Sequence, residues 1–161
     1  RSIMDIKQLR NLLIEQITSA FKDIEYPGDG ELHRNDETKE LIGKHWKDIP
    51  LEMLRVDSRI LYLSPKALRF YLPAYLIAII SNPDEMDILV GDIVRFLSPT
   101  EQSLWKNETI PYLPPFEPKE KAAIKAFFDA YKQLFPDGGW SYNPRSCGTL
   151  ERGIAYWQYY G

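Results

Sequence analysis

From Phe70 to Ile80 the chain reads Phe-Tyr-Leu-Pro-Ala-Tyr-Leu-Ile-Ala-Ile-Ile, without one charged side chain. A stretch this apolar has to be taken out of water. It is far shorter than the ~20 residues a membrane helix needs. It is also interrupted by Pro73, which removes a backbone donor and crowds the preceding turn. A helix through it is therefore expected to kink or split near residue 72. The rest of the chain must supply elements that cover this segment.

The 161 residues amount to one domain's worth of sequence. Arg1-Ser2-Ile3 before Met4 reads as a vector scar, with residues 4–161 as a single domain. Apolar residues make up 44% and charged residues 27%, an ordinary globular composition. A net charge of −3 argues against nucleic-acid binding, which needs a basic patch. Lys7, Arg10, Glu15, Lys22 and Asp23 interrupt the apolar pattern of residues 4–24, so no signal peptide is read there. The single Cys147 offers neither an internal disulfide nor a cysteine metal cluster. The expectation is a soluble protein of the reducing cytoplasm, with no membrane span.

Helical punctuation recurs along the chain. Ile6, Leu9, Leu13, Ile17, Ala20, Phe21 and Ile24 form one apolar face over residues 4–24. Tyr26-Pro27-Gly28-Asp29-Gly30 is a turn, and a shorter helix is expected from Asp36 to Gly43. Trp46 and Ile49-Pro50 fall in a loop. Ser64-Pro65, Asn82-Pro83-Asp84-Glu85, Ser98-Pro99-Thr100-Glu101 and Glu117-Pro118-Lys119-Glu120 each read as a helix start. The last of these opens a face of Ala123, Phe127, Ala130, Tyr131 and Leu134, ended by Pro136-Asp137-Gly138-Gly139. A final helix is expected from Leu150 through Trp157. Strand alternation and hairpin turns are missing. The fold class is all-α, a single irregular bundle of about six to eight helices, one kinked at Pro73.

Chemistry is harder to find. Asp29 and His33 suggest an acid–base pair, or, with Glu37 and His45, a metal set. Against this, turn acids commonly bond their own backbone, and no paired His-Glu-x-x-His motif is present. Cys147 lacks a nearby base, since Arg145 and Arg152 stay protonated, and reads as a packing residue. Gly28-Asp29-Gly30 lacks the strand and third glycine of a dinucleotide fingerprint. No cofactor is expected.

Two features suit a partner surface. Tyr156, Trp157, Tyr159 and Tyr160 crowd the last helix, as a contact patch or as a helix docked on the body. Asp23, Glu25, Asp29, Glu31, Asp36, Glu37 and Glu40 face only Arg34 and Lys39 in the same stretch, and Asp84, Glu85, Asp87 and Asp92 make a second acidic run. Such surfaces steer basic partners, or merely solvate a helix face.

Three segments together resemble a family of bacterial proteins known only as a domain of unknown function. They are Ile24-Glu25-Tyr26-Pro27-Gly28-Asp29 with Leu32, the run from Leu61 to Leu76 containing Arg69-Phe70-Tyr71-Leu72-Pro73, and Lys119 to Tyr131. The resemblance spans roughly residues 21–132. Leu68 and Phe70 stand where the family pattern more often has Phe and Tyr. The resemblance implies no activity. It does set the Tyr-Pro-Gly-Asp turn beside the Arg69 segment. A guanidinium in an apolar segment needs an acid, so an Asp29–Arg69 pair is expected. Tyr26, Tyr71 and Tyr75 would then line a pocket next to it.

The function expected first is protein binding, most concretely a bacterial immunity protein that neutralises a toxin domain by direct contact. The residues expected to matter are Tyr26, Asp29, His33, Arg69, Tyr71, Tyr75, Asp84, Glu85, Tyr156 and Trp157. One alternative is an enzyme with its site around Asp29, His33 and Arg69. Another is an interaction protein that self-associates through its C-terminal aromatics. The oligomeric state is left open.

Overall fold

The computed structural model describes residues 5–56, 59–100, 113–136 and 148–160. These form helices and 3-10 turns, with no strand among the described residues. Helix α1 runs Ile6–Phe21 and buries Leu13, Ile17, Ala20 and Phe21 along one stripe. Its start is fixed by Asp5 and Gln8, with Gln8 Oε1 accepting from the Asp5 N–H at 3.3 Å. It stops short of the expected residue 24. Gly28, at φ 99°, then opens a single helical turn, α2, Asp29–Leu32. A 3-10 turn, Asp36–Leu41, takes the place of the expected short helix. Two more pieces occupy the expected loop, a 3-10 turn at Trp46–Asp48 and one α turn, α3, Leu51–Leu54.

Helix α4, Pro65–Ser81, follows a 3-10 turn at Arg59–Tyr62. Ser64 caps it, its Oγ accepting from the Ala67 N–H at 3.3 Å, and Pro65 fills the first position. The helix passes through Pro73 without splitting. An interior proline costs a helix about 3 kcal/mol. Here that cost is offset by burial: Phe70, Tyr71, Leu72, Ala74, Tyr75, Leu76, Ile79 and Ile80 are all in the interior. A helix apolar all round has to be central. Indeed α1, α2, α3 and the Trp46–Asp48 turn all pack on α4.

Helix α5, Asp87–Phe96, begins later than Asn82-Pro83-Asp84-Glu85 suggests. Asn82 is already used as the last cap of α4, its N–H bonded to Ala78 O at 2.8 Å. Residues 83–86 therefore make the reversal, and Met86 becomes the first cap of α5. Helix α6, Pro118–Leu134, starts where Glu117-Pro118 indicates and presents the expected face, joined by Ile124 and Phe128. Helix α7, Thr149–Tyr160, is the expected last helix. The helix read from Ser98-Pro99-Thr100-Glu101, the Asp137-Gly138-Gly139 stop and Cys147 extend into or lie outside the described residues.

Helix α1 lies against both α4 and α6, and α7 joins α6 to α5. Trp157 of α7 carries much of the second contact. Its ring stacks on Phe128 at 6.5 Å and its Nε1–H donates to Leu97 O at 2.7 Å. The close approach of α7 depends on Gly153. A Cβ there would collide with Ser98 Oγ and stand 2.5 Å from Phe128 Cε1.

Gly153→Ala is therefore expected to destabilise the fold by about 1–3 kcal/mol through overpacking, although alanine is the better helix former. Thermal unfolding checks this, and an unchanged or higher Tm would show that α7 yields at no cost.

Candidate functional site

Arg69 does not meet Asp29. Its guanidinium is held by Glu120 of α6, Nε and Nη2 each donating to one carboxylate oxygen at 2.8 Å. Glu117 stands 3.8 Å from the same group. Consecutive helical residues point about 100° apart. With Phe70 turned toward Tyr26, at 5.7 Å between rings, Arg69 is turned to α6. Glu120 is buried and also accepts the Glu117 N–H at 3.1 Å, so one carboxylate caps α6 and anchors it to α4. The bond to Glu120 raises the Arg69 pKa further above its ordinary value.

Asp29 instead accepts the Tyr26 hydroxyl at 2.7 Å, and that hydroxyl accepts the Gly43 N–H at 2.8 Å. This bond set closes the loop from residue 26 to residue 43. Burial raises the Tyr26 phenol pKa. Tyr71 is fully buried and shares its proton between Leu41 O at 3.0 Å and Lys44 O at 2.8 Å. Tyr75 is fully buried too, and its hydroxyl finds no hydrogen-bond partner among the described residues. Burial pushes both phenols far above their usual range, Tyr26 and Asp29 adding to the effect at Tyr71. Tyr71 and Tyr75 are thus interior groups. The expected tyrosine-lined pocket does not form from them.

The other expected residues are dispersed. His33 is exposed and its backbone N–H closes the α2 turn on Asp29 O at 3.0 Å. His45 sits elsewhere, its Nδ1 accepting from the Lys47 N–H at 3.1 Å and its ring against Phe70. No three metal-ligating side chains converge among the described residues. Asp84 and Glu85 are exposed in the α4–α5 reversal. Tyr156 and Trp157 face the interior, so α7 docks on the body rather than displaying them; Tyr159 is exposed, at 81%.

Sequence reasoning missed Arg59, which organises the surface. It is 2% exposed. Its guanidinium donates to Glu37 O at 2.6 Å, to Met53 O, and to Glu40 Oε2 at 2.8 Å. Asn35 Nδ2 adds a bond to Tyr62 O at 3.4 Å. These contacts fasten the acidic turn Asp36–Leu41 to the turn Arg59–Tyr62. That second turn buries Ile60 but leaves Leu61 51% and Tyr62 44% exposed, with Val56 close by in the chain and 39% exposed. Leu61 continues into a groove of about 500 Å³ lined by Leu63, Pro65, Asp92, Arg95 and Phe96. The legible signal was Ile60-Leu61-Tyr62-Leu63: four apolar residues in one short turn cannot all face inward. An apolar ledge beside an acidic rim, with Asp36, Glu37 and Glu40 all exposed, is the candidate site.

The chain belongs to the family described as "Family of unknown function (DUF6714)", whose model matches residues 10–160. No curated protein and no solved structure matches it. No helix among the described residues is long and apolar enough to cross a membrane.

Two measurements follow from this geometry. Arg69→Met leaves the Glu120 carboxylate buried without its cation and should cost about 3 kcal/mol. Asp29→Asn, at an exposed carboxylate, should cost less than about 1 kcal/mol. Denaturant unfolding compares them, and a larger loss for Asp29→Asn would make the turn the main clamp. Alkaline titration followed by ultraviolet absorbance should leave Tyr71 and Tyr75 protonated after exposed phenols have ionised near pH ~10. Their raised folded pKa values put the sign on the acid side. The stability they contribute is complete below the unfolded value of ~10 and lost as pH rises toward the folded values. Ionisation of all ten tyrosines in one step while the fold persists would contradict the burial.

Proposed function

We propose that this family member is a protein-binding module, most concretely a toxin-neutralising immunity protein of the bacterial cytoplasm that acts by direct contact. The observation that carries the reading is the Arg59 clamp. It holds the exposed carboxylates of Asp36, Glu37 and Glu40 next to exposed Leu61 and Tyr62. An apolar ledge with a rim of carboxylates, of which Asp36 is paired with Lys39 and Glu40 with Arg59, suits a partner that is basic around an apolar anchor. The ledge supplies burial, and the carboxylates speed encounter and select charge. The chain's net charge of −3 argues against nucleic acid, which needs a basic patch. The cytoplasmic setting rests on the lone Cys147, and the bacterial one on the family resemblance. The enzymatic alternative draws less from the geometry, because Arg69 is committed to Glu120 and Asp29 to Tyr26.

The test uses tagged protein and lysate of its native cells. Wild type is expected to retain one stoichiometric partner at low salt and release it at about 0.5 M salt, where screening is strong. The pair Asp36→Lys with Glu37→Lys, and separately Tyr62→Ala, should each weaken retention at least about tenfold, about 1.4 kcal/mol. Co-expression of wild type with that partner should relieve its toxicity. Retention that ignores both the charge reversal and Tyr62→Ala would overturn the reading.

A further inference from the structure

A second cleft lies away from the acidic face, where α1, α3 and the Trp46–Asp48 turn meet the C-terminal half of α4. It measures about 380 Å³. That is the size of pockets that take small molecules, which generally begin at about 300 Å³. Its floor is apolar for a specific reason. Ala74 and Ala78 stand one helical turn apart on α4, so side-chain volume is missing between Ile14 on one side and Leu51 and Leu54 on the other. None of these side chains can donate or accept a hydrogen bond, so the body of any occupant must be apolar.

The polar lining is sparse and of one kind. Thr18, Ser81 and Asn82 are neutral, and among the described lining residues Lys47 supplies the one ionic group. Among the described residues Lys47 has no carboxylate partner, and its Nζ lies 5.5 Å from the Trp46 ring centroid. Among the described lining residues the one charge is a cation without a carboxylate partner, and such a cleft selects against cations. The carbonyl end of α4 at Ser81 and Asn82 carries the negative end of the helix dipole. A negative head group is therefore drawn to Lys47 and turned away from that end. From this we infer that the cleft binds a small amphiphilic carboxylate, its alkyl chain over Ala74 and Ala78 and its carboxylate at Lys47. The inference does not rest on the protein-binding reading.

The probe is octanoate, compared with 1-octanol and octylamine by calorimetric titration of the full chain. Octanoate is expected to bind one-to-one and saturably, at least about fivefold more tightly than 1-octanol and more tightly still than octylamine. Lys47 is exposed, so Lys47→Met should fold normally and bring octanoate to the affinity of 1-octanol. Thr18 is half-buried in the lining, and Thr18→Trp should block all three probes, with circular dichroism confirming the fold. Absence of saturable octanoate binding would overturn the inference. So would octanoate binding that survives Lys47→Met undiminished. Loss of partner capture on the acidic face, with octanoate binding intact, would count only against the protein-binding reading.

Discussion

Helix α4 takes into the interior two phenols and a proline along with its aliphatic side chains, and it holds a half-buried guanidinium against the buried carboxylate of Glu120. Each of these has a cost in low dielectric that must be met by a particular neighbour. Glu120 meets Arg69 with two parallel bonds, and in doing so fixes where α6 begins. The carbonyls of Leu41 and Lys44 meet Tyr71, which ties down the end of the acidic 3-10 turn. The Tyr75 hydroxyl has no hydrogen-bond partner among the described residues, and its ring is held by packing. The missing donor of Pro73 is tolerated because α4 is covered by elements from before and after it in the chain.

The surface depends on the same economy of carbonyl partners. Between α1 and α4 the described residues make single turns and 3-10 pieces, which leave backbone groups unpaired within themselves. Long side chains reach in to satisfy them. Arg59 bonds the carbonyls of Glu37 and Met53, Trp46 Nε1 donates to Phe21 O at 3.3 Å, and Tyr26 accepts from Gly43. These bonds give an irregular segment a defined shape. They also place an acidic turn beside exposed Leu61 and Tyr62 and a lysine beside an apolar cleft. Two surface features, an acidic turn and a lysine-edged apolar cleft, thus arise from one loop-rich region.

The helices could be read because their signals are local. Ser64-Pro65 and Glu117-Pro118 act on the N–H groups of the next turn, and the apolar stripes of α1 and α6 follow helical spacing. Asn82-Pro83-Asp84-Glu85 misled because a cap can serve only one helix, and Asn82 serves α4. The Asp29–Arg69 pairing rested on finding an acid for a buried cation. The need was real, but the acid was Glu120, distant in sequence and chosen by the direction in which Arg69 leaves its helix. Arg59 gave little warning, since one basic residue in a polar stretch is most often solvent-exposed.

By itself, then, the sequence determined that the protein is all-α, where α4 and α6 begin, and that the segment around Pro73 must be central, because capping, periodicity and hydrophobicity act over a few neighbouring residues. Tertiary structure alone decided which carboxylate meets Arg69, which tyrosines are buried, and which of four consecutive apolar residues at 60–63 reach solvent. Those outcomes depend on the rotation and distance of one helix relative to another. A fraction of a turn exchanges a buried face for an exposed one, and a single chain records no such angle.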